Sequence, residues 1–145
     1  MIEALSSTTD MFAPREALLE SFKRALLAAD PARAFASLKL KQTRGRTLVL
    51  GAGKASAHMA HALEASWPKD SLNNLSGLVL TRYGHALACN RIEVIEAAHP
   101  IPDAAGLEAA RRVLALASRL GPDDHVIALI SGGGSALLSL PVDGI

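Results

Sequence analysis

Residues 47–67 read TLVLGAGKASAHMAHALEASW. A short β-prone apolar run ends in Gly51-Ala52-Gly53, and an alanine-rich segment follows at once. Met59, Leu63 and Trp67 recur at the spacing of one helix face, and Pro68 stops the run. A strand that ends in a glycine turn and feeds a helix is the opening unit of an α/β fold.

Downstream the pattern repeats. GLVLT over 77–81 reads as a second strand, and RIEVIEA over 91–97 as a third. His99-Pro100-Ile101-Pro102 must be extended, because the residue before a proline is pushed out of the helical region. Asp103 then caps a helix over 104–120 whose buried face is expected to carry Leu107, Ala110, Val113, Leu114 and Ala117. HVIALI over 125–130 is apolar throughout and is expected to be a strand buried on both faces. SGGGS over 131–135 follows as a glycine turn, and a helix is expected to open near Ala136. The sum is a Rossmann-like α/β fold, with a mostly parallel sheet flanked by helices. One connection leaves two options. Residues 82–90 are too few for a helical crossover, which takes roughly ten to twelve residues or more. The second and third strands are therefore antiparallel, or the loop crosses without a helix.

Upstream, residues 14–29 (PREALLESFKRALLAA) form an amphipathic helix with Leu18, Leu19, Phe22, Ala25, Leu26 and Ala29 near one face, and Pro14 in its first turn. Asp30-Pro31 punctuates it, residues 32–38 suit a short second helix, and the basic run KLKQTRGR over 39–46 reads as a solvated connector. The chain thus divides into N-terminal helices and a connector over 1–46 and an α/β core over 47–145.

Composition narrows the function classes. Of 145 residues, 50% are hydrophobic and 20% charged, which excludes a disordered polymer. A net charge of +1 and 3% aromatics argue against nucleic acid or an anionic membrane as partner. Cys89 is the one cysteine, so no intrachain disulfide forms, and a reducing compartment is the simple reading. MIEALSSTTD at 1–10 lacks the basic and apolar regions of a secretory leader, and no apolar run approaches a membrane span. The expected location is the cytoplasm.

Ligands of an open parallel sheet sit beyond the carboxyl ends of its strands. Residues 51–54 (GAGK), 81–85 (TRYGH) and 131–135 (SGGGS) lie there, and the segment from His99 follows another strand. GAGKAS fails as a Walker A loop, because Leu48 stands where its first glycine belongs and Ala55 follows Lys54. It is also an incomplete dinucleotide fingerprint: Gly51 and Gly53 fit, Ser56 takes the third place, and Thr81-Arg82 replaces the ribose-binding acid. That disfavours NAD and leaves NADP only through Arg82. What remains is an anion site of backbone N–H groups with Lys54 beside it, or a tight turn with a solvated lysine. In SGGGS, Gly132, Gly133 and Gly134 let a ligand approach the backbone, while Ser131 and Ser135 add hydroxyls. Ser135 is no nucleophile elbow, because Leu137 occupies the required glycine position. His85 and His99 are candidate substrate donors or plain loop residues. His58 and His61 lie three apart on a helix with no further metal-ligand motif, and His125 reads as structural.

Taken in order, VLGAGKASAHMAHALE, GLVLTRYGHA, IEVIEAAHPIPDAAGLEAARRVL and LISGGGSALLSLPVDGI resemble the N-terminal part of the glycerate 2-kinase family with the MOFRL C-terminal domain. Members are also labelled hydroxypyruvate reductase. The resemblance spans 48–145. Arg82 stands where the family has Lys in TKYGH, and Ala98 where it has Gly in EAGHP. It implies transfer of the γ-phosphoryl group of ATP to the 2-hydroxyl of D-glycerate, with Mg²⁺. It implies Lys54 as the active-site cation, the SGGGS amides on nucleotide phosphate, and Arg82, His85 and His99 along the cleft. No metal carboxylate is identifiable, since Asp103 reads as a cap and Asp143 as exposed tail. Family chains run to roughly three times this length. The 145 residues are therefore expected to be inactive alone, a fragment that exposes apolar surface and self-associates. The competing readings are an NAD(P)H-dependent hydroxypyruvate reductase and a non-catalytic nucleotide- or sugar-phosphate-binding module.

Overall fold

A computed structural model describes residues 14–40 and 43–142. The readings made on residues 1–10 and on Asp143 lie outside the described residues. Ten elements run in the order α1 (Pro14–Ala28), α2 (Pro31–Ser37), β1 (Thr47–Ala52), α3 (Ser56–Ser66), a 3-10 turn (Lys69–Asn74), β2 (Leu75–Arg82), β3 (Ile92–Ala97), α4 (Ala104–Ala117), β4 (His125–Ile130) and α5 (Gly134–Leu137). No helix among the described residues is long and apolar enough to cross a membrane.

The four strands form one sheet in the order β3-β2-β1-β4. Every neighbouring pair is parallel, with Thr47 opposite Leu75 and His125, and Gly77 opposite Ile92. The two options for the short connection are thereby resolved: β2 and β3 are parallel, and residues 83–91 cross without a helix. Helix α3 supplies the contacts that a crossover helix would make. His61 Nδ1 lies 2.9 Å from the Ala88 carbonyl oxygen. The Glu64 carboxylate accepts from the backbone N–H groups of Asn90 (2.6 Å), Arg91 (2.8 Å) and Ile92 (3.2 Å). Burial works against its negative charge, yet these donors win and hold its pKa below the usual value.

Alternation along the strands sends side chains to two cores. On one face Val49, Val79, Ile92 and Leu129 pack with Ala60, Leu63 and Trp67 of the α3 segment. On the other, Ala52, Leu78, Leu80 and Ala97 pack with Ala109 and Leu137. The expected α3 face is thus in place.

Two expectations need correction. Helix α4 docks through Gly106, Ala109 and Ala110 with Val113 beside them, so Ala110 and Val113 of the expected face are in place, whereas Leu114 is 59% exposed. Its smallest residues face the sheet because the approach is close: a Cβ on Gly106 would sit 3.0 Å from the Leu137 carbonyl oxygen. Strand β4 is not buried on both faces. Leu129 is covered, but Val126 is 41% and Ile130 64% exposed. Helix α4 packs over β3 and β2 and does not reach far enough to cover β4. Helix α1 contributes no buried residue. Its stripe is present as a pattern, but Leu18, Phe22 and Leu26 face outward. The expected Asp103 cap is confirmed, its side chain accepting from Gly106 N at 2.9 Å.

Candidate functional site

The chain leaves β1 in one direction to build β2 and β3, then returns to place β4 on the other side. The crevice such a reversal opens lies beyond the carboxyl ends of β1 and β4. Two glycine turns meet there. Lys54 N donates to the Gly132 carbonyl (3.1 Å), Ser131 N to the Ala52 carbonyl (3.1 Å), and Ala55 N to Ser131 Oγ (2.9 Å).

Those bonds correct the reading of the first turn. Its amides were candidates for an anion, but Gly53 N donates to Leu80 O and Ser56 N to Gly53 O as well. The run of N–H groups from Gly53 to Ser56 is used inside the fold. Gly51 and Gly53 answer instead to close packing. A Cβ on Gly51 would lie 2.5 Å from the Leu129 carbonyl oxygen, and one on Gly53, at φ +130°, would overlap Ser131 Oγ. Ser131 likewise has its hydroxyl oxygen occupied by Ala55 N and acts as a tie between turns. Ser56, in the third fingerprint position, is buried, and its hydroxyl donates to the Leu80 carbonyl.

The second turn keeps its donors. Among the described residues, the amides of Gly132, Gly133 and Gly134 meet no acceptor outside the short helix they open. Gly132 faces open space. Gly133 has φ +87°, and the point where its Cβ would stand is 2.7 Å from His99 Nε2 and 3.3 Å from Lys54 Cε. The fold therefore brings Lys54, His99 and the triple glycine together from three strand ends. The Lys54 side chain is exposed and makes no ion pair with a described residue. Ser135 is also exposed, and its carbonyl accepts from Ser139 Oγ at 2.9 Å.

Lys54 also lines an open hollow of about 330 Å³, together with His58, Gly84, His85 and Leu87 among others. His85 is thus part of the same cleft. Arg82 ends β2 opposite Ala97, is exposed, and does not line this hollow. The turn carrying His85 is held by Glu96, whose carboxylate accepts from His85 N (2.9 Å) and Ala86 N (3.0 Å). These backbone donors keep the Glu96 pKa below its usual value. Tyr83 Oη donates to Asp103 Oδ2 at 2.8 Å. The Gly106 amide and this phenol lower the Asp103 pKa, and the same bond raises that of Tyr83.

The remaining histidines part company. His61 is bound to the Ala88 carbonyl, and His58 Nε2 lies 4.0 Å from Asp30 on the α2 cap. Among the described residues, no three His, Cys, Asp or Glu side chains form a group suited to a metal ion. The carboxylates nearest the rim, Glu96 and Asp103, are engaged by backbone amides and a phenol. These residues do not fit a resident Mg²⁺ site. Cys89 is half-buried and free, and burial with the nearby Glu64 charge pushes its thiol pKa up to about 11. That makes it a poor nucleophile at neutral pH.

Sequence reasoning missed Tyr83 and Glu96. Glu96 had one visible signal, a carboxylate next to the end of the strand, on the face where Ile92 and Val94 are apolar.

With this geometry in view, comparison with known proteins is informative. A family described as a domain of unknown function (DUF4147) matches residues 17–145. An Agrobacterium vitis protein with a provisional hydroxypyruvate reductase name is 50% identical over 127 residues, covering 88% of this chain and 28% of that protein. A Pyrococcus horikoshii protein named glycerate 2-kinase is 38% identical over 143 residues, covering 90% and 31% respectively. The crystal structure of a Thermotoga maritima glycerate kinase superposes with a TM-score of 0.74 at 34% identity, covering 88% of this chain and 30% of that one. The chain spans about a third of the length of the curated relatives it matches.

Proposed function

Because the chain belongs to the family described as a domain of unknown function (DUF4147), we propose that it carries the N-terminal part of a glycerate 2-kinase active site. The reaction is transfer of the γ-phosphoryl group of ATP to the 2-hydroxyl of D-glycerate. The observation that carries this reading is the meeting of Lys54, His99 and the open amides of Gly132–Gly134 at the strand-order reversal. Phosphoryl transfer asks for positioning and charge stabilisation more than for covalent chemistry, and this cluster supplies both.

In this reading Lys54 Nζ stabilises charge on the oxygens of the transferring phosphoryl group. The Gly132, Gly133 and Gly134 amides bind nucleotide phosphate, with the Ser135 hydroxyl beside them. His85 and His99 face the glycerate carboxylate, and Arg82 adds positive charge from the end of β2. Mg²⁺ enters with the nucleotide, as the counterion of its phosphates. The remaining catalytic groups come from the part of the protein that the longer relatives have and this chain does not span. The protein is expected to act in the cytoplasm.

A reductase reading has the Agrobacterium vitis names in its favour. The geometry of the first turn weighs against it. A bound pyrophosphate draws on the amides of a G-x-G-x-x-G turn, and here those from Gly53 to Ser56 are already bonded within the fold.

The test uses the full-length gene product. ADP formation with D-glycerate is followed beside NADH oxidation with hydroxypyruvate, and phosphorus NMR identifies the phosphorylated position. Lys54→Ala should remove at least 99% of phosphorylation, in line with the loss of one charge-stabilising group. Unchanged turnover in that variant, or NADH oxidation without ADP formation, overturns the proposal.

A further inference from the structure

The segment that leaves β3 carries His99 at its tip and grips the neighbouring turn at two points. Glu96, on β3, accepts from the amides of His85 and Ala86. Asp103, at the start of α4, accepts from the Tyr83 phenol while it also caps its helix through Gly106 N. A backbone bond from Tyr83 N to the Ala97 carbonyl, 3.3 Å long, closes the seam between them. Around His85 the chain is exposed from Arg82 to Ala88, and Gly84 stands at φ +76° with nothing within 4 Å of its absent Cβ. Packing therefore does not fix this turn. Hydrogen bonds do: most come from one short stretch, 96–103, beside a bond within the turn from His85 N to the Arg82 carbonyl and the contact of His61 with the Ala88 carbonyl.

We propose that Glu96 is a positioning residue, seconded by the Tyr83–Asp103 pair, that holds the His85 turn against Lys54 for glycerate binding. The proposal rests on the kinase reading of the cleft. A charged acceptor suits this task, because the two adjacent amides converge on one oxygen, Oε1 of Glu96, and a carboxylate oxygen accepts from both at once. The same stretch carries His99, so one segment places both of the histidines that lie near Lys54. Substrate carboxylate would then be met by a pair of donors whose separation is built into the fold, and little ordering remains to be done on binding.

The experiment compares Glu96→Ala, Glu96→Gln, His85→Ala and the Glu96→Ala/His85→Ala double variant in the full-length gene product. Hydrogen exchange reads the amides of His85 and Ala86, and steady-state kinetics read glycerate and ATP separately. Loss of the charged acceptor should speed exchange at Ala86 by about tenfold or more in Glu96→Ala and by less at His85, whose amide also meets the Arg82 carbonyl; both effects should be smaller in Glu96→Gln, whose carbonyl still accepts. The KM for glycerate should rise about tenfold in Glu96→Ala, with kcat and the KM for ATP within about threefold. In the His85→Ala background, Glu96→Ala should add less than about twofold, since its effect passes through His85. Tyr83→Phe should show a smaller change of the same kind. Unchanged exchange in Glu96→Ala overturns the proposal, as does an equal KM effect with and without His85. Should the wild-type protein phosphorylate no glycerate, the kinase reading falls by itself, and the exchange arm still decides whether Glu96 holds the turn.

Discussion

Replacing Gly133 by alanine should disturb both the fold and the cleft, and two other glycines show how much of each. Gly133 sits at φ +87°, where an L side chain is strained by about 1–2 kcal/mol. Its new methyl would also meet His99 Nε2 at 2.7 Å and Lys54 Cε at 3.3 Å. Ordinary contact begins near 3.4 Å, so the imidazole must retreat by about 0.7 Å, and the lysine shifts with it. Gly84, at φ +76° with open space around it, carries the backbone strain alone. Gly132 carries neither, and alanine there gains up to about 1 kcal/mol by restricting the unfolded chain. Thermal unfolding should therefore rank Gly132→Ala at or above wild type, Gly84→Ala lower by roughly 3–8 °C, and Gly133→Ala lowest. Displacement of His99 by this distance, with a slight shift of Lys54, should lower kcat/KM of Gly133→Ala by roughly ten- to a hundredfold. Equal loss of stability in Gly132→Ala and Gly133→Ala, or a Gly133→Ala protein as active as wild type, would refute the reasoning.

Other outcomes follow from the same geometry. Glu96 has a folded pKa below its unfolded value of 4.5, so the stability it lends is complete above about pH 4.5 and fades as pH falls through the lower folded value. An acid-titration unfolding series should show a shallower acid limb in Glu96→Gln. Leu63 is fully buried between α3 and the sheet, and Leu63→Ala should lose about 2–5 kcal/mol in urea unfolding, whereas Leu114→Ala, more than half exposed, should lose under about 1 kcal/mol. Glu64→Ala should unfasten the crossing loop, seen as faster hydrogen exchange at Asn90, Arg91 and Ile92, with Leu63-region amides unchanged. The 145-residue chain expressed alone should self-associate through surfaces such as Leu18, Phe22 and Leu26; a monodisperse monomer in solution scattering would count against this.

Where the fold was legible in sequence, the signal was local. The β1–turn–α3 unit could be read because strand, glycine turn and helix period are all written within a few residues, and Asp103 could be read as a cap for the same reason. The direction of β3 could not, because the bonds that let 83–91 cross come from His61 and Glu64, more than twenty residues upstream. An apolar run such as HVIALI records that burial is tolerated, not that a neighbour arrives to provide it, and α4 stops short of Val126 and Ile130. The face of α4 was legible at Ala110 and Val113 but not at Gly106 and Ala109, because the close approach to Leu137 selects glycine and alanine there.

The cleft was legible by residue type and less so by role. Lys54, His85, His99 and the triple glycine were marked out by position after strands, and they do converge. The division of labour between the two glycine turns was hidden. Only three-dimensional pairing reveals that the amides of one are consumed by the other, and that Glu96 and Tyr83 act behind His85.

The ties between the two turns have a mechanical consequence. Lys54 N to Gly132 O, Ser131 N to Ala52 O and Ala55 N to Ser131 Oγ rivet the tips of β1 and β4 together. Neither turn can swing toward a ligand without tearing its mate, so this floor of the cleft behaves as one stiff plate. Any closing motion that accompanies turnover must then be hinged elsewhere. The exposed 82–88 stretch is fastened apart from that plate, to Glu96 and Asp103, so it moves against the plate only when those bonds break.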